Sequence, residues 1–479
     1  MDKEVEGQKT KALLSWAAQI GISDAPTMRS ASVCSSSCLG HSLVISHFPD
    51  AGGRGFAASR DLRKGELVLR VPRAALLTSE MVLQDGKLAS CIEKNHLLSS
   101  SHMLTICLLA EVGKGRDSWW YPYLALLPLN YDTLANFQDF EIHALQVEDA
   151  IWASKKAILK AKSDWKECLL ILQQMKLKPH LLSFRSWLWA SATITSRSLH
   201  IPWDEAGCLC PIGDLFNYAA PDYEPCGDDS HECSNEEQLN EKADCHSHRL
   251  TDGGFEKDSS YCFYAKKNYK KGEQVLLSYG AYTNLDLLEH YGFLLTSNPN
   301  EKAFIHLDTE VSISRAWPKE SLHIQPDGKP SFALLCTLRL SATPKKFRRA
   351  VGHQAHAGSM ISTENELVVM KKLANHCCKV LEELPTTIEQ DFSLLIFINK
   401  MLESSSCLDC FELESCKEQF HEFLQVNGLH KERIEKSSLT VKTVKSLERW
   451  RLAVNWRLSY KNILFNCISY CNMVITELS

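Results

Sequence analysis

The sequence lacks several patterns that identify familiar classes of protein. No run reaches the roughly 18 uninterrupted apolar residues that a membrane-spanning helix needs. The start, Met-Asp-Lys-Glu-Val-Glu-Gly, is acidic and no apolar segment follows it, which argues against a secretory signal. There is no Gly-Lys-Ser/Thr phosphate loop, no serine nucleophile elbow and no His-Glu-x-x-His zinc helix. We therefore expect no membrane association, and none of these enzyme classes is indicated.

An excess of positive charge is also missing. Lys and Arg number 53 against 58 Asp and Glu, which gives a formal net charge of -5, so we expect no direct nucleic-acid partner. With 44% apolar and 23% charged residues, the 479-residue chain is typical of globular proteins with two or three domains. Its 19 cysteines, without a secretory signal, are interpreted as reduced and largely buried thiols. This predicts a cytoplasmic or nuclear protein.

Short apolar runs separated by turn residues begin near residue 42 and indicate β-strands. Two of them are Leu43–Ile45 and Gly52–Ala57. The turn Arg63-Lys64-Gly65-Glu66 precedes a third run, and the similar Lys270-Lys271-Gly272-Glu273 precedes another much later in the chain. Two such units far apart in the sequence predict one β-rich domain with a long insertion.

Helical periodicity fills that insertion. Leu, Ile, Ala and Trp recur at three- and four-residue spacing over 99–113, 144–176 and 181–199, and a short amphipathic helix is also predicted within 1–20. The insertion is therefore predicted to be helical.

The chain after residue 300 is predicted to be mostly helical as well. Thr363-x-x-Glu366 has the pattern of a capping box at the start of a long helix, which Pro385 ends. Another helix is predicted over about 440–475. Its basic residues are interpreted as a solvated face, with a substrate-docking surface as the alternative: Lys442, Lys445, Arg449, Arg451, Arg457 and Lys461.

The segment 224–259 is rich in Asp, Glu, Ser, Asn, Cys and His, and we interpret it as a mobile surface loop. It contains enough ligands for one zinc ion, although their spacing fits no regular zinc knuckle or ribbon: Cys226, His231, Cys233, Cys245, His246 and His248. We predict no metal site there, and the same holds for Cys407-Leu-Asp-Cys410 with Cys416.

Four segments carry patterns that are specific in combination. The first is Gly52-Gly53-Arg54-Gly55-Phe56 with Asp61–Glu66, and the second is Trp189–Pro202, which contains Arg197. The third is Pro211–Tyr218, which contains Asp214 and Asn217, and the fourth is Gly272–Phe293, which contains Tyr279 and Tyr291. Alone, each has a structural interpretation: a packing tyrosine, a helix cap or a turn. Their fixed order around one helical insertion favours function.

Together these segments resemble the SET-domain methyltransferases, in particular the Rubisco large-subunit methyltransferase-like branch. The last segment matches the branch's closing "G-E-Q-[aliphatic]-x-x-x-Y-G … N-x-x-x-x-x-x-Y-G-F" pattern most closely. The third departs from the usual Asp-x-x-Asn-His, because Tyr218 stands where the branch has histidine. The resemblance covers about residues 40–295 and, more loosely, 300–479.

The resemblance implies S-adenosylmethionine as the cofactor and assigns roles to matched residues. Tyr279 falls on the catalytic tyrosine, whereas Asp214 and Tyr291 fall on positions that bind the substrate. An arginine fork suits a carboxylate such as that of the cofactor, and glycines let the main chain approach a ligand closely. The implied cofactor-binding residues are Gly53, Arg54, Gly55, Arg197, Asn217 and Tyr218.

The implied fold class is α+β: a β-rich SET domain of short strands with a long helical insertion, followed by an all-α substrate-binding domain. We expect an N-terminal helix and linker at 1–39 and the SET domain at 40–295. Its helical insertion would occupy about 114–205 and its acidic loop 224–259. The helical substrate-binding domain would occupy 300–479.

The implied function is transfer of methyl groups to a lysine side chain of a protein substrate, histone or non-histone, by a monomeric enzyme. Two alternatives stay open. One is a non-catalytic SET-fold binding module, for which Tyr218 is the first indication. The other is a protein-histidine methyltransferase, because that activity exists in the same branch.

Overall fold

The structure, a computed structural model, describes most of the chain: residues 3–25, 37–48, 53–81, 98–221, 253–256, 260–306, 317–403, 417–429 and 439–479. Gly52, the six possible zinc ligands between Cys226 and His248, and Cys407, Cys410 and Cys416 lie outside the described residues. The chain forms two compact units. The first comprises Met1–Tyr131 and Ile158–Ala281, and the second comprises Asp132–Ala157 and Tyr282–Ser479. The predicted domain limits stay predictions.

Strands are concentrated in the first unit. In chain order they are β1 Leu43–Phe48, β2 Gly53–Ala58, β3 Leu67–Pro72, β4 Leu77–Thr78, β5 Ser198–Ile201, β6 Asp204–Leu209, β7 Asn217–Tyr218, β8 Gly254–Glu256, β9 Ser260–Tyr264, β10 Gln274–Leu277, β11 Ala303–Phe304 and β12 His323–Ile324. The runs predicted as strands near residues 43, 53, 67 and 274 are confirmed.

Helices occupy the predicted insertion and most of the second unit. In chain order they are α1 Lys3–Gln19, α2 Ser100–Lys114, α3 Tyr121–Leu124, α4 Asp139–His143, α5 Glu148–Gln174, α6 Phe184–Arg197, α7 Asn284–His290, α8 Phe332–Ala342, α9 Lys345–His356, α10 Thr363–Glu383, α11 Ile388–Glu403, α12 Lys417–Val426 and α13 Val441–Leu478. The predicted α+β class is confirmed. None of the described helices is both long and apolar enough to span a membrane.

The described residues of the first unit form three small sheets. The largest has the order β1-β2-β10-β7, in which β2 pairs antiparallel with β1 and β10, and β10 pairs parallel with β7. The other two sheets have the orders β3-β9-β8 and β4-β6-β5. The two similar turns also meet, because Leu62 bridges Tyr269 and Lys270 Nζ lies 2.9 Å from Asp61 Oδ2. The predicted β-rich domain with a long insertion is thus confirmed.

The core of the first unit is built by strand residues and by several helices. Phe56 and Leu69 are fully buried on their strands, and Leu13 and Ala17 anchor helix α1 against the same core. Ten of the eleven cysteines in the described regions are buried, and all eleven are free thiols. Their interpretation as reduced, apolar packing residues is confirmed for these positions.

The second unit is mainly helical, as predicted, but it is not entirely so. Strands β11 and β12 form a two-stranded antiparallel pair, with Ala303 opposite Ile324. Both residues are fully buried in the core that α8, α10 and α13 share, so the pair is part of that core. Two-residue strands leave no periodicity that a sequence pattern could reveal.

Helix α10 begins where predicted, but its cap differs from the prediction. Ser362, not Thr363, is the N-cap residue, and its hydroxyl accepts the Asn365 N–H at 3.1 Å. Glu366 does not close a capping box. It is buried and binds Arg339 through two hydrogen bonds of 2.8 Å.

The interpretation of the basic residues of α13 as a solvated face is wrong for two of them. Arg457 and Lys461 have side-chain exposures of 0% and 1%. Both bind the buried Asp391 of α11, at 2.6 Å from Arg457 Nη2 to Oδ1 and 2.6 Å from Lys461 Nζ to Oδ2. Periodicity within α13 could not reveal an acid supplied by another helix.

Glu301 stabilises the first turn of α7 and couples its stability to pH. Its Oε2 accepts the backbone N–H of Asn284 at 3.0 Å, and the residue is only 6% exposed. Burial raises the pKa of Glu301 to about 7, against the opposing hydrogen bonds from the Lys302 and Asn284 N–H groups. The folded protein therefore holds a proton that the unfolded chain releases near pH 4 to 5.

We expect the free energy of unfolding to fall by about 2 kcal/mol between pH 5 and pH 8, through this group alone. Glu301→Gln retains a hydrogen-bond acceptor but cannot ionise, so it should remove this loss. Urea unfolding of both proteins at the two pH values measures the difference. The exposed Glu382→Gln is the control and should follow wild type; a parallel fall in Glu301→Gln would contradict the assignment.

Candidate active site

Strand β2 carries the first predicted motif into the largest sheet. Gly53 begins the strand at φ +91°, which favours glycine. A Cβ on Gly55 would lie 2.4 Å from Asn217 Nδ2 and 3.2 Å from Gln274 Nε2. The absence of a side chain at Gly55 therefore makes room for two amide groups, from β7 and β10.

Gly55→Ala should displace the Asn217 amide, since no real Cβ approaches another atom so closely. We expect a loss of about 1–3 kcal/mol in the free energy of unfolding, together with weaker ligand binding at this site. The matched control is Gly254→Ala in β8, where a Cβ would meet nothing within 4 Å. Thermal unfolding of both variants tests this, and equal, small shifts would show that the amide is free to move.

Arg197, Asp214 and Tyr123 form a buried polar cluster. Asp214 Oδ2 accepts hydrogen bonds from Arg197 Nη1 at 3.0 Å and from the Tyr123 hydroxyl at 2.8 Å. The Asp214 side chain is 1% exposed. Burial opposes the charge of Arg197, but the neighbouring carboxylate of Asp214 raises its pKa above the ordinary value. Burial and Asp214 both raise the pKa of Tyr123. At neutral pH the cluster is thus an ion pair with a neutral phenol.

The backbone that presents Asp214 is strained. Ile212 has φ +68°, a conformation that β-branched residues rarely adopt. At Gly213, a Cβ would lie 2.5 Å from Phe263 Cζ, so only glycine fits there. Strain that packing holds in place is common at functional sites, where it fixes one side-chain position.

A small pocket, partly open to solvent, lies beside this cluster. Arg54 reaches it from β2 and donates to the Leu126 carbonyl at 2.7 Å. Its Nη1 also lies 3.8 Å from Glu6 of helix α1. The pocket is lined by Thr10, Leu13, Ile45, Arg54, Tyr123, Leu126, Leu127, Arg197, Asp214 and Leu215. Two arginines, one carboxylate and an apolar wall therefore face the same space.

Several buried polar atoms of this region find no hydrogen-bond partner among the described residues. They are Arg197 Nε, Asp214 Oδ1, Asn217 Nδ2 and Gln274 Nε2. A buried polar atom without a partner costs about 1–3 kcal/mol, so several in one place suggest a polar ligand. The three nitrogens can donate to anionic or carbonyl groups of a ligand, and Asp214 Oδ1 can accept from a cationic group.

Tyr279 follows β10 and lies beside the same cluster. Its hydroxyl donates to the Phe216 carbonyl, next to Asn217. Burial raises the pKa of Tyr279; Arg197 opposes this shift and Asp214 adds to it. The phenol is consequently neutral over the physiological range and keeps its proton for that carbonyl. Its oxygen lone pairs are then the groups it can offer to a ligand.

Tyr218, which replaces the usual histidine, has a defined structural contact. Its hydroxyl donates to the Gly280 carbonyl at 2.7 Å, and its ring centroid lies 5.2 Å from that of Tyr279. Only 7% of the residue is exposed. The tyrosine therefore holds the turn after β10 through this hydrogen bond and packs against Tyr279.

Tyr291 lies in the second unit, at the C-terminal end of α7, whereas the other predicted site residues lie in the first. Its ring packs edge-to-face on Tyr282 with centroids 5.7 Å apart, and it also contacts Phe293. The structure thus gathers Gly55, Asn217 and Tyr279 around one sheet, while the assignment of Tyr291 to substrate stays a prediction.

Two site residues escaped the sequence analysis. Tyr123, which binds Asp214, lies in a short helix within the insertion and carries no motif. Gln274 lies inside the Gly-Glu-Gln segment, so the matched motif itself could have indicated it. In the described part of the chain, no group of three or more His, Cys, Asp or Glu residues is arranged to hold a metal ion.

Comparison with protein families identifies the class to which this fold and pocket belong. The profile described as "SET domain" matches residues 53–280, and "Rubisco LSMT substrate-binding" matches residues 285–464. Protein SET DOMAIN GROUP 40 of Arabidopsis thaliana is 49% identical over 99% of this chain and 98% of its own length. The chain therefore belongs to the SET-domain family of methyltransferases, in the branch that carries the Rubisco LSMT substrate-binding domain.

More distant relatives are actin-histidine N-methyltransferases. The Danio rerio protein is 24% identical over 76% of this chain and 62% of its own length. The Homo sapiens protein is 23% identical over 72% of this chain and 59% of its own length. This chain thus spans less than two thirds of those proteins.

Solved structures match the fold across both units. The SET domain of LSMT bound to lysine and AdoHcy aligns with a TM-score of 0.58 at 17% identity, covering 99% of this chain and 93% of that one. Rubisco LSMT bound to AdoMet aligns with a TM-score of 0.54 at 17% identity. Both comparisons confirm the SET-type fold.

Proposed function

We propose that this protein is an S-adenosylmethionine-dependent protein-lysine N-methyltransferase. The observation that carries the proposal is a pocket lined by two arginines and one carboxylate, in which Arg197 Nε and Asp214 Oδ1 are buried without a hydrogen-bond partner among the described residues. Such a pocket suits a ligand with an amino-acid end, which has both a carboxylate and an ammonium group. Family membership and the lysine-bound solved relatives support the same function.

The residues present fit the cofactor's polar groups. Arg197 and Arg54 would hold the carboxylate. Asp214, which the resemblance assigns to the substrate, would here accept from the cofactor's ammonium group through Oδ1. The amides of Asn217 and Gln274 would meet polar groups elsewhere on the ligand. When bound, S-adenosylmethionine supplies the electrophilic methyl carbon for transfer to an amine. The protein supplies orientation, exclusion of water and control of protons.

Tyr279 is the residue we assign to the transfer step. Its neutral hydroxyl, oriented by the Phe216 carbonyl, presents lone pairs that can accept weak CH···O contacts from an activated methyl group. An apolar, aromatic surrounding also favours the neutral form of an incoming lysine amine, because burial lowers an ammonium pKa. Holding amine and methyl in line removes much of the entropic cost of the reaction. No strong base is required.

A histidine target is the second candidate, because relatives at 24% and 23% identity carry that activity in their names. The non-catalytic alternative rested on Tyr218. That residue fills its site and binds Gly280, and it leaves the buried cluster of Arg197 and Asp214 intact. This observation favours an active enzyme over a binding module.

The deciding experiment is incubation of the full chain with radiolabelled S-adenosylmethionine and cell extract, followed by mass spectrometry of labelled proteins. We expect labelled lysine residues, with labelling suppressed by excess S-adenosylhomocysteine. Labelled histidine would replace the lysine assignment with the second candidate. Cofactor binding without any labelled protein, across several extracts, would contradict the enzyme assignment.

We further propose that the substrate is a protein, that the enzyme acts as a monomer, and that it works in the cytoplasm or nucleus. The substrate proposal draws on the family description of residues 285–464. Analytical ultracentrifugation tests the oligomeric state, and a fluorescent fusion tests the compartment. A dimer or a secreted fusion would overturn the corresponding proposal.

A further inference from the structure

Helix α9 is unusually basic for a chain with net negative charge. Its twelve residues, Lys345–His356, include two lysines, two arginines and two histidines but no Asp or Glu. The formal charge of the whole chain is -5, so this concentration is local. Basic patches on one face of a helix commonly recognise negatively charged partners.

The basic side chains of α9 form one exposed stripe. Lys345, Arg349, His353 and His356 recur at steps of four and three residues, which places them on one side of a helix, and all four are exposed. Lys346 is exposed beside them and is counted with the stripe. Ala355, on another side of the helix, is fully buried. The stripe therefore faces solvent along the whole length of the helix.

Arg348 shows which basic residue of α9 serves the fold instead. Its Nε donates to the Thr343 carbonyl at 2.9 Å, so it satisfies the backbone at the preceding turn. The residues of the exposed stripe differ from it in exposure, although His356 Nδ1 also lies 3.5 Å from Cys336 Sγ. Arg348 is thus half-buried and satisfies the backbone, whereas the residues of the stripe stay exposed to solvent.

Aromatic side chains adjoin one end of the stripe. The His356 ring lies 6.3 Å from Trp317, and Trp317 packs edge-to-face on Phe332 with centroids 5.7 Å apart. Phe332 is 47% exposed. The surface therefore has two parts. The basic residues can attract a negatively charged partner, and the exposed aromatic ring can contact an apolar side chain of that partner.

We propose that this stripe docks an acidic segment of the protein substrate, an inference that rests on the proposed function. Steps of four residues along a helix span about 6 Å, close to the roughly 6.6 Å between alternate residues of an extended peptide. Acidic residues at alternate positions, followed by a bulky apolar residue over Trp317 and Phe332, therefore match the surface. The helix lies within the segment that matches the substrate-binding profile, 285–464.

The test uses the full chain and a fluorescein-labelled peptide, Glu-Ser-Glu-Ser-Glu-Ser-Trp. Its Lys-for-Glu counterpart and a single-stranded oligothymidine of similar length serve as competing probes. Fluorescence anisotropy is measured for wild type and for Lys346→Glu/Arg349→Glu. The matched control is Lys371→Glu/Lys372→Glu on α10, an exposed pair with the same change of charge.

We expect wild type to prefer the Glu peptide, and affinity to fall at least about fivefold between about 50 and 300 mM salt. The stripe variant should lose about tenfold and the control pair less than about twofold. Equal losses in both pairs, or equal binding of the Lys peptide, would overturn the proposal. Tighter binding of oligothymidine than of the Glu peptide would also overturn it, in favour of a nucleic-acid surface.

Calorimetric titration of the same proteins with S-adenosylmethionine separates this inference from the proposed function. We expect all three to bind the cofactor equally, because α9 lies in the second unit and the polar pocket in the first. A protein that binds the Glu peptide but no cofactor would contradict the proposed function and support the docking surface. A protein that binds cofactor but not the peptide would do the reverse.

Discussion

Asp391→Asn is expected to destabilise the second unit by about 3–5 kcal/mol, one of the largest losses that a single substitution in this chain should cause. Asp391 is fully buried and accepts from Arg457 Nε at 3.0 Å, Arg457 Nη2 at 2.6 Å and Lys461 Nζ at 2.6 Å. Removing its charge leaves two buried cations without a counter-ion. The uncompensated desolvation of those cations, not the lost hydrogen bonds, dominates the cost.

The pH dependence of Asp391→Asn provides a second readout. Burial lowers the pKa of Lys461 even though Asp391 opposes this, so removal of Asp391 should lower it further. The unfolded variant then binds more protons than the folded one, and its stability should rise with pH above neutrality. Urea unfolding at pH 7 and pH 9 measures this rise.

Two comparisons isolate the buried charge. Asp327→Asn removes an exposed partner of Lys329 and should change stability by less than about 0.5 kcal/mol. The triple change Asp391→Leu, Arg457→Met and Lys461→Met removes all three charges and should cost less than Asp391→Asn alone. If the triple variant were less stable than Asp391→Asn, the charged network would stabilise the fold more than apolar side chains in the same place.

Sequence patterns predicted those parts of the fold that depend on neighbours along the chain. The periodicity of α10 and α13 and the short apolar runs of β2 and β10 are local properties, and they gave the correct elements. The cap of α10 was displaced by one residue, because both Ser362 and Thr363 are acceptable N-cap types. Choosing between them requires the backbone angles, which no short pattern contains.

The sequence predicted residues of the candidate site only where they belong to a recognisable motif. Tyr279 and Asn217 were found by their ordered motifs, yet the sequence could not show that Gly55 makes room for the Asn217 amide. Tyr123 and Asp391 were missed for one reason: each acts on a partner far away in sequence. Long-range contacts of this kind follow from packing and leave no local signal.

Tyr279→Phe is expected to reduce the rate of methyl transfer by about a hundredfold while cofactor affinity changes less than about threefold. The estimate follows from the loss of one pre-oriented polar group at a reacting centre, typically a factor of 100 to 1,000. In the proposed mechanism the hydroxyl would contribute to the reaction through its lone pairs, whereas the unpartnered atoms of Arg197 and Asp214 would bind the cofactor. These contributions are therefore separable.

The measurement is single-turnover methyl transfer with labelled cofactor, paired with calorimetric cofactor binding. Tyr261→Phe, a buried tyrosine of β9, is the control and should retain nearly all activity. Loss of the bond to the Phe216 carbonyl should cost about 1 kcal/mol of stability, too little to unfold the protein. If Tyr279→Phe lost cofactor affinity and rate in equal measure, Tyr279 would be a positioning residue for the ligand and the transfer step would need another group.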